Sequence, residues 1–222
     1  MCHVFKQRFA GSFALSFRTT TRFSVIGALL GGVVAGCTGA GTGAGKLRAE
    51  SLSDDPVVLG TTYVAVVYEQ QPDTEASFFL SDVPVEDLLE GTVRQGQIMH
   101  VDLLWRPKAG STPMDASATN AAVHHVIIAD GEVGVYGGAG FAMPSGTPGN
   151  GRMHVSLRDA TVRLLESTEG FNDPLSPAKI TGDFTAEHDP ALARKIHRAI
   201  SQLVTNALGR SRLVQAEETS DR

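Results

Sequence analysis

The chain has 222 residues, with 19 Lys+Arg against 24 Asp+Glu and a formal net charge of −5. An acidic balance argues against nucleic acid as a partner, because phosphate backbones reward clustered basic charge. The two cysteines, Cys2 and Cys37, form neither a CxxC pair nor a thiolate-rich metal signature.

The first 36 residues contain Lys6, Arg8, Arg18 and Arg22 and no acidic residue. Residues 23–36 (FSVIGALLGGVVAG) then carry no charge at all. A basic segment followed by a short apolar one is the layout of a secretory signal. A permanent span needs about 20 apolar residues to cross roughly 30 Å of hydrocarbon. This run is shorter and is broken by Gly27, Gly31, Gly32 and Gly36, so it fits a transient export segment. No Arg-Arg pair precedes it, which favours the general export route over the twin-arginine one.

The apolar run ends in Val34-Ala35-Gly36-Cys37. These four residues resemble the lipobox of bacterial lipoprotein precursors, with Val34 standing where Leu is usual. The resemblance covers residues 1–37 only. It implies that Cys37 is the first residue of the mature protein, that its thiol carries a diacylglycerol, and that the chain is held by palmitate-type acyl groups at an extracytoplasmic face of the cell envelope. Two or three acyl chains hold a bilayer stably, each buried methylene adding about 0.8 kcal/mol. Removing residues 1–36 leaves 15 basic against 24 acidic residues, a formal charge of −9. The lipid then does the tethering, and Cys37 has no disulfide partner, since Cys2 leaves with the signal segment.

Residues 37–55 follow the cleavage point, and 38–55 (TGAGTGAGKLRAESLSDD) are small, Gly-rich and then charged. Such composition predicts a flexible tether, with the folded part starting near Pro56. Residues 61–69 (TTYVAVVYE) and 75–81 (EASFFLS) are rich in β-branched and aromatic side chains and predict strands. Residues 82–91 (DVPVEDLLEG) predict one or two helical turns, opened by Pro84 and closed by Gly91. Residues 97–106 (QIMHVDLLWR) alternate: Met99, Val101, Leu103 and Trp105 share one face, His100 and Asp102 the other.

Asp130-Gly131 between 121–129 (AAVHHVIIA) and 132–136 (EVGVY) is a two-residue turn signal, since both positions accept positive φ. Pairing across it sets Ile128 opposite Val133, Val126 opposite Val135 and His125 opposite Tyr136, with His124 on the apolar face of Val126 and Ile128. Residues 137–151 (GGAGFAMPSGTPGNG) read as a long loop. Residues 152–165 (RMHVSLRDATVRLL) alternate and change phase near Arg158-Asp159, which predicts a bulge. Residues 177–186 supply another strand. Asp189 as N-cap, Pro190 at the first helical position and Gly209 as the stop bound an amphipathic helix. Residues 210–222 form a polar tail.

The sum is a mainly β, α+β domain over 56–209: an antiparallel sheet or sandwich with one C-terminal helix. The candidate chemistry is a possible metal set of His100, Asp102 and His154, which sit in similar strand settings (MHVDL, MHVSL). No HExxH, GxSxG or phosphate-loop signature accompanies them, so the reading carries no assigned cofactor or catalytic residue. The expected role is a non-catalytic envelope lipoprotein that binds another envelope protein, a glycan or a small ligand. A metal-dependent or hydrolytic enzyme built on the His/Asp cluster, and a structural subunit of an envelope assembly, are the alternatives.

Overall fold

The computed structural model describes residues 43–71, 74–108 and 119–210. The described residues all belong to one compact unit, Thr38–Arg222. Residues 1–36, which the sequence reads as a signal segment, Cys37, and the expected tail from residue 211 onward lie outside the described residues. Among the described residues no helix is long and apolar enough to cross a membrane.

Among the described residues, alternating apolar residues produce nine strands: β1 (Ala44–Ser51), β2 (Val58–Tyr63), β3 (Ala65–Gln71), β4 (Thr74–Ser81), β5 (Gly96–Leu103), β6 (Ala121–Ala129), β7 (Glu132–Ser145), β8 (Arg152–Ser167) and β9 (Ala178–His188). Helix α1 (Val85–Glu90) lies between β4 and β5, and helix α2 (Pro190–Leu208) follows β9. The mainly β class with a C-terminal helix is as the sequence predicts. The strands, however, form one sheet in the order β2-β1-β9-β3-β4-β5-β6-β7-β8, and β8 pairs with β9 as well. The sheet therefore closes on itself as a barrel rather than stacking as a sandwich. Closure rests on an antiparallel β8–β9 ladder and a short parallel contact, Val67↔Glu187 and Tyr68↔His188, between β3 and β9.

Three sequence expectations change. The tether predicted over 37–55 contains β1, which pairs with β2 on one side and β9 on the other. Its inward residues are mostly small because the wall is tight there: a Cβ on Gly45 would lie 2.5 Å from Phe184 Cβ. The loop predicted over 137–151 is strand as far as Ser145. Its glycines serve close approach, not flexibility, since a Cβ on Gly138 would stand 1.9 Å from the Thr161 carbonyl oxygen. Trp105 does not continue the buried face of β5; it lies past the strand end and is partly exposed.

Period-two alternation divides the buried residues into two sets. The inward set, including Tyr68, Phe78, Met99, Val101, Tyr136, Val155 and Phe184, fills the barrel. The outward set, including Val67, Phe79, Ile98, Val126 and Val135, receives Ala193, Ile196, Ile200 and Val204 of α2. That helix begins as predicted, Asp189 accepting from the Leu192 amide at 2.9 Å with Pro190 at its first turn, and ends at Gly209 in the left-handed region. Burial of each large apolar side chain in this seat contributes roughly 1.5–3 kcal/mol. The β7–β8 register shift between Ala139 and Phe141 and the β8–β9 shift between Leu157 and Ala160 place the bulge where the phase change predicts it, with Asp159 at φ 47.

The topology gives the barrel two distinct rims. One carries the β1–β2, β4–β5, β6–β7 and β8–β9 connections. The other carries the beginning of β1 at Gly43, the β5–β6 and β7–β8 connections and the start of α2.

Candidate functional site

Residues read from the sequence as a possible metal set meet only in part. His100 and Asp102 alternate with Met99, Val101 and Leu103 along β5, so both point outward while the apolar residues fill the barrel. The strand ladders then decide their neighbours. Phe79 of β4 pairs with His100, His100 with His124 of β6, and His124 with Gly137 of β7. One step along, Ser77 pairs with Asp102. The result is a polar cluster on the outer wall.

His154 does not belong to it. It stands on β8, three places from β5 in the sheet order, half exposed, with Nδ1 3.3 Å from Thr185 Oγ1 and Nε2 3.9 Å from Asp183 Oδ1. At roughly 4.8 Å per strand spacing, no side-chain rotation brings it to His100. His124 takes the place assigned to His154. The hairpin register that the sequence predicts is observed, including Ile128↔Val133 and His125↔Tyr136. What the sequence lacks is the β5–β6 pairing that sets His124 beside His100.

The cluster is held tightly. The Phe79 and His100 rings stack with centroids 4.5 Å apart and planes 7° from parallel. Ser77 Oγ donates to Asp102 Oδ1 at 2.5 Å. His197 of α2 leans over the group, its ring centroid 5.6 Å from that of His100 and 5.4 Å from that of Phe79. His100 is only 6% exposed.

Its electrostatics are uneven. His100 Nε2 lies 3.0 Å from Asp102 Oδ1, near enough for charge attraction but off the direction that a hydrogen bond requires. Neither this nitrogen nor His124 Nδ1 has a hydrogen-bond partner although both are buried. A buried polar group left unpaired costs about 1–3 kcal/mol. Burial pushes the Asp102 carboxyl up, but the His100 imidazole, the Ser77 hydroxyl and the charge on His124 outweigh it and hold the carboxyl below its ordinary value. Burial, followed by the neighbouring His100 charge, pushes His124 down, against an opposing pull from Asp102.

No protein-family model matches the chain, and no curated protein matches it either.

A second polar group lies inside the barrel toward the β6–β7 rim. His125 Nε2 meets Gln97 Oε1 at 3.1 Å, and Thr61 Oγ1 donates to the same oxygen at 2.8 Å. Burial pushes His125 down to about 4, so it remains neutral at ordinary pH. Tyr136 donates to Asp173 Oδ1 at 2.6 Å nearby. These groups close the packed interior.

The opposite rim has a different character. Leu104, Trp105 and Met143 are exposed, and Trp105 meets Phe141 edge-on with centroids 6.3 Å apart. Arg106 Nη2 donates to the Gly146 carbonyl at 2.5 Å and ties the β5–β6 connection to the β7–β8 connection. This is also the rim from which β1 begins.

Proposed function

We propose that this chain is a lipid-anchored protein of the cell envelope, in which Cys37 carries the lipid and the barrel is a non-catalytic binding module held at the membrane surface. The observation that carries this reading is the order of features in the first 37 residues: four basic residues without an acidic one, an uncharged apolar run, then Val34-Ala35-Gly36-Cys37. The strand architecture adds a constraint. Gly43 already donates to the Val66 carbonyl at 3.1 Å, so six steps of chain, about 20 Å at full extension, separate the lipid-bearing residue from the barrel.

The short connection favours one orientation. The rim at which β1 begins bears Leu104, Trp105, Met143 and Arg106, and aromatic and cationic side chains of this kind suit a bilayer interface. Partner recognition, whether of an envelope protein or a glycan, then falls to the opposite rim and the outer wall.

The test joins labelling to spectroscopy. Cys37→Ser should abolish incorporation of radioactive palmitate and shift the protein from the membrane to the soluble fraction. Trp105 is the sole tryptophan, so its emission in the lipidated protein should move to the blue and be quenched by lipids carrying a quencher in the interface. Unchanged labelling and partitioning in Cys37→Ser would overturn the anchor. Labelled protein with unshifted Trp105 emission would keep the anchor and overturn the orientation.

A further inference from the structure

We propose that His100, Asp102 and His124 form a binding site for one divalent transition-metal ion, set in the outer wall of the barrel beneath helix α2.

The donor chemistry comes first. Two imidazole nitrogens and one carboxylate oxygen lie within 4.8 Å of one another. Metal–ligand bonds of about 2.0–2.2 Å to nitrogen and oxygen draw such donors to separations of roughly 3–4 Å, a movement within reach of small side-chain rotations. Two imidazoles with one carboxylate suit zinc, iron(II), copper(II) or nickel(II) better than calcium or magnesium, which prefer all-oxygen sets.

The second observation is independent of the first. His100 Nε2 is buried, has no hydrogen-bond partner and sits 3.0 Å from Asp102 Oδ1. If that nitrogen bears its lone pair, two acceptors face each other. If it bears a proton, the N–H axis misses the carboxylate. A cation between them satisfies both atoms at once and also meets His124 Nδ1, likewise buried without a partner; a third such nitrogen, His125 Nδ1, lies on the inward face of β6.

The surrounding residues behave as an outer shell. Ser77 orients the Asp102 carboxylate, and Phe79 fixes the plane of the His100 ring; such supports commonly raise metal affinity 10–100-fold. Gly137 pairs with His124, and the space a Cβ would take there is filled by Leu165, whose Cδ1 would lie 2.4 Å from it. Three protein donors leave a fourth position for water or for His197, which approaches from α2.

The experiment uses the full chain without an affinity tag, solubilised in detergent, stripped with a chelator and titrated with zinc by calorimetry and with cobalt(II) by visible absorption. One ion per chain is expected, with cobalt giving the intense visible bands of a low-symmetry, nitrogen-bearing site. His124→Gln, which keeps volume and polarity, should weaken binding at least about 100-fold, and Ser77→Ala about 10-fold by loss of the outer-shell support. His154→Ala should leave both titrations unchanged. Circular dichroism establishes that each variant is folded. If His100→Ala fails to fold, the folded His124→Gln variant decides. The proposal is overturned if the wild-type chain takes up no stoichiometric metal, or if folded His124→Gln binds it as tightly as wild type.

Discussion

Asn120 offers a test of how the barrel wall is terminated. Its side chain is fully buried at the start of β6. Nδ2 donates to the Ala142 carbonyl at 2.8 Å and to the Trp105 carbonyl at 3.1 Å, while Oδ1 accepts from the Ala142 amide at 2.7 Å. The last main-chain pair of this ladder is Ala121↔Gly140. The Asn120 side-chain amide therefore stands in for the next peptide group and carries the ladder on to Ala142 while the backbone turns toward Leu104. Asn120→Ala leaves the Ala142 N–H and C=O, both fully buried, without partners, at about 1–3 kcal/mol each. The Trp105 carbonyl lies at the rim, where water can replace the lost donor. Allowing for the smaller desolvation and ordering cost of alanine, the expected loss is about 3 kcal/mol.

With a urea slope of about 2 kcal/mol per molar, the unfolding midpoint of the full chain carrying Cys37→Ser should fall by about 1.5 M, read by Trp105 emission and circular dichroism together. Asn120→Asp separates hydrogen bonding from packing. Its carboxylate can accept from the Ala142 amide but cannot donate to the two carbonyls, so its folded-state pKa is raised. The variant should then gain stability relative to wild type as the pH falls and the acid acquires a proton to donate. A midpoint shift under about 0.3 M for Asn120→Ala, or an Asn120→Asp variant with the pH profile of wild type, refutes the ladder-extension account.

Further outcomes follow from burial and close approach. The chain has three tyrosines, Tyr63, Tyr68 and Tyr136, and burial is the leading cause that raises each above the ordinary phenol value. Asp82 adds to the rise at Tyr63, and Asp173 adds to it at Tyr136. Because the folded values are raised, this stabilisation is complete below about pH 10 and is lost as the pH climbs beyond it. Phenolate absorbance should therefore stay flat through that value and then rise together with the loss of circular dichroism; a rise at the free-phenol pKa in folded protein would contradict it. Gly138→Ala places a Cβ 1.9 Å from the Thr161 carbonyl oxygen and 2.9 Å from Val162 Cα, where only backbone can yield. It should lower the urea midpoint by more than Asn120→Ala does, whereas Gly60→Ala, with nothing within 4 Å, should leave it nearly unchanged.

Legibility in the sequence followed the range of the interaction. The β6–β7 hairpin was readable because its determinant is local: Asp130 at φ 55 and Gly131 at φ 90 occupy the positive-φ turn that Asp-Gly favours. The ends of α2 were readable for the same reason, each being fixed by one or two residues. β1 was not. Its inward residues Gly45, Leu47, Ala49 and Ser51 include one large apolar side chain, so its composition resembles a linker, and its partner β9 lies some 130 residues away. Barrel closure has the same origin, since nothing in the β8 or β9 pattern names the strand on the far side. The candidate site shows both regimes. His100 and Asp102 share a face by simple alternation, whereas their third neighbour depends on the β5–β6 register. The repeated MHV context of His154 was a resemblance of local sequence, and local sequence does not carry inter-strand position.

The polar cluster and the seat of α2 are parts of one energetic arrangement. On the bare barrel wall, Val67, Phe79, Ile98, Val126 and Val135 would form an exposed apolar band, and His100 and His124 would be ordinary solvated residues on a half-exposed sheet. Docking of Ile196, Ile200 and Val204 removes that band from water, each contributing roughly 1.5–3 kcal/mol, and the same movement brings His197 over His100. Burial of the histidines is thus a consequence of apolar packing a turn away. Glu69, 5% exposed on β3, fixes the other side of the helix through Arg194 at 3.3 Å. A helix pinned at one side by an ion pair and along its length by apolar contacts can hold a strained polar group beneath it without unseating. That is how the unpaired imidazole nitrogens of His100 and His124 persist in this wall, outside a barrel already filled by Phe78, Tyr136 and Phe184.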